Sequence, residues 1–178
     1  MTYLDIIDSA VKIGLGALIA GLSTLALSRS QFHRDLEKER IKREFEMLKQ
    51  VAEQVESQTH VALRYWALIT EWARYQRLPQ EMPESREKEL NNCKVALFDG
   101  FKDMTSAESK LLLLGLSSAQ KSLRVYGETM TELRRQLNRG AEPATELQAQ
   151  EWRSKILSCR ETFFTDLSNC YRQLSKKQ

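Results

Sequence analysis

Proline and glycine are scarce: the 178 residues include three of the first and seven of the second. So few turn formers exclude a sandwich or barrel, whose many hairpins require them, and point to long helices. Cysteine is also rare. Cys93, Cys159 and Cys170 are an odd set with no close-spaced pair. Cys159 and Cys170 would lie ~16 Å apart along a helix, too far to bridge within it. Reduced thiols in a cytosolic compartment are expected. No C-x-x-C spacing occurs, and the two histidines, His33 and His60, have no ligand companions at usable spacing, so no metal and no cofactor is expected.

Neither sign of charge dominates. The net charge is +3, with acids and bases interleaved, so the concentrated basic face of a nucleic-acid partner is not expected. The chain has no glycine-rich phosphate loop, no G-x-S-x-G, no H-E-x-x-H and no EF-hand loop. His60 has Glu56 and Arg64 one turn to either side, and Cys93 follows Asn91 and Asn92. A helical histidine among charges and a thiol on an apolar face read as structural, and the chain reads as a non-enzyme. Tyr65, Trp66, Trp72 and Tyr75 occupy two helix stripes, which suits packing better than base stacking.

What is present begins with residues 9–28, SAVKIGLGALIAGLSTLALS, uncharged from Ile13 to Leu27. That run is a little short of the ~20 residues a spanning helix needs, but with Lys12 able to reach the headgroups and Ser28 extending the other end a single membrane-spanning helix is feasible. Inside it Ala10, Gly14, Ala17, Gly21, Thr24 and Ser28 recur at steps of four and three, a small-residue stripe on which two helices could pack closely. Asp5 and Asp8, with no Lys or Arg among residues 1–11, favour an anchor over a cleaved signal peptide. Arg29, Arg34, Lys38, Arg40, Lys42 and Arg43 follow the span. The positive-inside rule then places the N-terminus out and the C-terminal body in the cytoplasm of an inner or plasma membrane. The same residues make anionic membrane lipid a partner.

No Pro or Gly interrupts the chain between Gly21 and Pro79, so one helix is expected to run to about Arg77. A heptad seam begins at Ile41 and continues Phe45, Leu48, Ala52, Val55, Thr59, Ala62, Trp66, Ile69, Ala73. Phe32 and Leu36 fall out of its register. A second stripe, Val61, Tyr65, Leu68, Trp72, Tyr75, implies more than one neighbour. LPQEMPE at 78–84 is a break. Helices are then expected over 85–104, over 105–139 starting at the capping-box pattern Thr105–Glu108, and over 145–175 starting at Thr145–Gln148. Leu112, Leu116, Ala119, Leu123, Tyr126, Met130, Leu133 and Leu137 form the most regular seam, with Leu111–Leu114 read as entering the bundle centre. Asn138-Arg139-Gly140 reads as that helix's stop.

The expected architecture is all-α: an anchor over 1–28, a charged stalk helix over 29–49, and a cytoplasmic antiparallel helical bundle over 50–178. The expected function is a membrane-tethered homo-oligomeric scaffold or sensor presenting a helical surface to a cytoplasmic protein partner. The alternative is a membrane effector that perturbs the bilayer when its spans assemble.

Overall fold

The computed structural model describes residues 3–78, 80–138 and 142–176; for 3–23, 25, 26, 30 and 174–176 it describes the backbone alone. All regular structure among these residues is helical: α1 (Tyr3–Arg77), α2 (Glu84–Asp99), α3 (Phe101–Leu113), α4 (Ser117–Gln136) and α5 (Glu146–Lys176). The chain divides into two compact units, Met1–Phe45 and Glu46–Gln178.

The first unit is part of α1. Its described side chains from Gln31 to Arg40 are all exposed, and short-range ion pairs such as Arg43–Glu39 (3.3 Å) support the helix from outside. Residues 9–28 are helical backbone throughout. Of the small-residue stripe, Thr24 and Ser28 are exposed, while the side chains of Ala10, Gly14, Ala17 and Gly21 lie outside the described residues. Among the described residues, no helix is long and apolar enough to cross a membrane.

The second unit is a four-layer up-down-up-down bundle. Residues 46–77 of α1 run one way; α2 and α3 return together, as Gln58 pairs with Leu97 and Gln54 with Lys110. α4 runs parallel to α1, with Thr59 beside Tyr126 and Tyr65 beside Leu137. α5 returns antiparallel to both, with Ser118 at Cys170, Thr129 at Cys159 and Glu56 at Arg160. The core takes Val51, Val55, Ala62, Tyr65 and Ile69 from α1, Leu90 and Leu97 from α2, Met104 and Leu111 from α3. α4 adds Leu123, Tyr126, Met130 and Leu133, and α5 adds Ile156 and Phe163. Both stripes of α1 are used, because this helix faces α2, α4 and α5 at once.

Four expectations are corrected. First, the returning layer is not one helix over 85–104 followed by a start at Thr105. It breaks at Gly100, where the buried Gln58 side chain inserts and its Nε2 donates to the Leu97 carbonyl (3.0 Å). Thr105–Glu108 lies inside α3, where Thr105 bonds back to the Phe101 carbonyl (2.9 Å) instead of capping. Second, 105–139 is two helices. Gly115 has φ +70, Leu116 N–H donates to Leu111 O (2.9 Å) and Gly115 N–H to Leu112 O (3.0 Å). That pair of bonds is a Schellman stop, with Leu111 and Leu116 buried against it. Third, only part of Leu111–Leu114 enters the bundle centre: Leu111 is buried and Leu114 packs against the core, while the stop turns Leu112 and Leu113 outward, 56% and 77% exposed. Fourth, Phe45 is exposed (47%), so the seam packs only from Leu48 onward.

The remaining boundaries follow the residues. α1 ends before Pro79 with Arg74 and Arg77 in its last turn, and the Arg77 guanidinium donates to the Ala144 carbonyl. The Pro83 carbonyl starts α2 by accepting from Arg86 N–H (2.9 Å) and Glu87 N–H (3.0 Å). The box at 145–148 forms as expected: Thr145 N–H donates to Gln148 Oε1 (2.9 Å), and Gln148 N–H to Thr145 Oγ1 (3.2 Å). α4 ends at Gln136, with Leu137 and Asn138 just beyond; Arg139 and Gly140 lie outside the described residues.

Candidate functional site

The basic residues Arg29, Arg34, Lys38, Arg40, Lys42 and Arg43 are all exposed on α1. Lys38 pairs with Asp35 (3.9 Å), Arg40 with Glu44 (3.3 Å) and Arg43 with Glu39 (3.3 Å). Such pairs are worth little each and are screened by salt, so they leave these cations competent to meet anionic headgroups. A helix turns about 100° per residue, which puts Arg29, Phe32, Leu36, Arg40 and Arg43 on one stripe, with Asp35, Glu37, Glu39 and Glu44 to its flanks. Phe32 and Leu36 are exposed on it (62% and 52%), and the Phe32 ring meets His33 edge-on at 6.4 Å. The mismatch of Phe32 and Leu36 with the seam therefore has a positive content that the heptad reading missed. These two residues share a face with the arginines, and plotting charge on a helical wheel would have found it.

A second surface lies between α3 and α4. Met104, Leu123 and Gly127 floor a groove of about 390 Å³, and Glu108, Arg124, Glu128 and Glu132 wall it. Burial opposes ionisation of Glu108, but hydrogen bonds from Gln120 (2.6 Å) and Arg124 outweigh it, and its carboxyl titrates below the usual range. Glu132 is likewise held low, by Arg135 and then Gln136. A Cβ on Gly127 would meet only Met104 Cε, at 4.0 Å. Glycine is thus not required there by packing inside the chain. The arrangement offers an apolar floor with a mostly acidic rim, which suits an apolar side chain flanked by a cation.

Among the described residues, groups capable of chemistry are not gathered. His33 and His60 are both exposed on α1. Cys93 sits mid-helix in α2 with its thiol pushed up by burial, against the pull of Arg64, so it is a core thiol rather than a stabilised thiolate. Among the described residues no three His, Cys, Asp or Glu side chains are disposed to hold a metal ion. Tyr65 and Trp72 are buried, and Trp66 donates its Nε1–H to the Ala149 carbonyl (2.6 Å). These aromatics are bundle residues. Arg135 pairs with Glu132 (2.8 Å) and Arg134 lies over the Phe98 ring (5.3 Å), so the basic end of α4 is engaged within the bundle.

No protein-family model, no curated protein and no solved structure matches the chain.

Proposed function

We propose that this protein is a non-enzymatic, membrane-tethered, homo-oligomeric scaffold or sensor whose cytoplasmic bundle presents a helical surface to a protein partner. The observation that carries this reading is α1. One helix, Tyr3–Arg77, contains the apolar segment, the exposed basic and apolar stripe, and a full layer of the bundle core. An anchor and a reader domain are thereby built on one element. In this reading residues 9–28 span an inner or plasma membrane with the N-terminus outside, and the basic stripe meets anionic lipid on the cytoplasmic side.

Oligomerisation is assigned to Gly14, Ala17 and Gly21, because α1's seam from Leu48 onward is occupied by the chain's own helices and is not free for a second copy. The partner surface is assigned to the α3–α4 groove, whose floor is open at Gly127. Crosslinking in native membranes tests the oligomer. Gly21→Ile forces the spans apart and lowers crosslinked product, whereas Leu22→Ile, off the stripe, does not. Equal product from both variants would sink the assignment.

A further inference from the structure

We propose that the α3–α4 groove takes one amphipathic helix of a partner protein, which crosses α4 over Gly127 and sets a lysine or arginine against Glu128. The inference rests on the partner reading above and adds to it the shape and the charge of what docks. Gly127 gives the shape. It stands in the middle of α4, where glycine is the poorest helix former after proline. Gly100 has Gln58 against it and Gly115 has φ +70, but Gly127 has neither reason: a Cβ there would meet only Met104 Cε, at 4.0 Å. What the glycine supplies is a low point on the outer surface of α4, with Leu123 one turn before it and Thr131 one turn after. Met104 and Leu123 are buried beneath, and Phe101 is half-buried beside them. A helix laid between two others seats where the facing side chains are smallest, and a glycine there lets the backbones close in. An apolar anchor on the incoming helix then rests on Met104 and Leu123.

Charge chooses the occupant. The charged side chains on the groove walls are Glu108, Arg124, Glu128 and Glu132. Arg124 is bound to Glu108, and Glu132 is bound to Arg135 (2.8 Å), so both pairs are neutral. Glu128 is exposed and, among the described residues, has no ion-pair partner. The walls therefore carry a surplus of one negative charge, on the residue next to Gly127. A cation one turn from the anchor of the incoming helix meets that carboxylate, whereas an acid there would face Glu128 and Glu132 together. A two-fold contact of this face with a second copy would bring each Glu128 toward its own equivalent, which disfavours self-association. With a net charge of +3, the protein as a whole does not attract a basic peptide, so the preference belongs to the groove.

The test uses the full chain in a non-ionic detergent and two fluorescent helical probe peptides. Both are alanine-rich with leucine anchors, and they differ only in carrying lysines or glutamates one turn from the anchor. Micelles alone supply the blank. Fluorescence anisotropy should show the lysine probe binding about tenfold tighter than the glutamate probe. Glu128→Lys should reverse that preference. Gly127→Ala, for which the chain has room, should weaken the lysine probe several-fold without lowering the melting temperature. Equal binding of the two probes, no binding of the lysine probe, or an unchanged preference in Glu128→Lys would each overturn the proposal. So would loss of crosslinked oligomer from Gly127→Ala in native membranes, which would assign the groove to a second copy. A photo-crosslinker placed at position 131 in cells, with position 162 on α5 as the control, separates this inference from the partner reading. Adducts specific to 131 without lysine-probe binding sink the basic helix and keep the groove as the partner surface; probe binding without such adducts does the reverse.

Discussion

An alanine at Gly100 would set its Cβ 1.7 Å from Gln58 Oε1, although the backbone there has an ordinary helical φ of −65. Gln58 must then leave Leu97, and losing that buried bond costs about 1–3 kcal/mol against ~0.5–1 kcal/mol gained in helix propensity. Gly100→Ala should therefore lower the midpoint of urea unfolding, and should cost little in a Gln58→Ala background, where the space is already clear. Gly115→Ala meets open space, yet φ +70 makes it cost about 1–2 kcal/mol, with Gly115→Asn milder. Gly127→Ala has neither obstacle and should stabilise α4 by ~0.5–1 kcal/mol. If it also weakens partner binding, the glycine serves the groove. Denaturant titration of the three variants checks these signs: a gain for Gly100→Ala or Gly115→Ala, or a loss for Gly127→Ala, would contradict the corresponding argument.

At the scale of elements, the α4 seam and the Thr145 box were legible because each is a local pattern read in its own helix. Leu116, Ala119, Leu123, Tyr126, Met130, Leu133 and Leu137 are all buried as their spacing requires, whereas Leu112, the first member of the expected seam, lies before the stop and is exposed. Leu123→Ala should cost about 2–5 kcal/mol, measured by calorimetry; a loss under ~1 kcal/mol would mean this seam is not core. Thr145→Ala removes a cap and should cost about 1 kcal/mol. The α2–α3 break was illegible for a different reason. Gly100 could be seen, but the group that needs the space is Gln58, on another helix and forty-two positions earlier. The Schellman stop was legible in principle: a glycine followed by leucine, after a leucine run, is its signature. Counting Leu111–Leu114 as an apolar block hid that signal. Of the candidate site, the basic residues could be read directly from charge. The α3–α4 groove could not, because it exists only when two helices meet.

For the whole molecule, pH should act at both extremes. Glu89 and Glu146 are held below the usual carboxylate range, Glu89 by hydrogen bonds from Arg64 and Arg86 and Glu146 by one from Arg74. A depressed folded-state pKa gives stability above the unfolded value that is lost as pH falls through the folded one, so melting should drop below about pH 4. Tyr65 runs the opposite way. Burial raises its hydroxyl to about 12, and Tyr126 is raised too, by burial despite its bond to Thr59. The unfolded chain ionises first, so stability should fall from about pH 10 upward. A flat melting temperature across either range would contradict the corresponding sign. Topology is tested separately. A reporter fused at Gln178 should behave as cytoplasmic, and an impermeant thiol reagent on intact cells should miss Cys93, Cys159 and Cys170; labelling of Cys159 from outside would overturn the orientation.

The use of α1 as a wall of the bundle has a consequence for synthesis. The helix is made first, with Tyr65, Leu68 and Trp72 ready to be buried, but its long-range partners come late: Arg160 follows Glu56 by 104 residues. At roughly 5–20 residues per second, translation leaves those faces uncovered for ~5–20 s. A nascent chain stalled before α5 should accordingly be sticky, captured by holdase chaperones and sensitive to protease between residues 46 and 77. Release of a chain extended past Cys170 should abolish both.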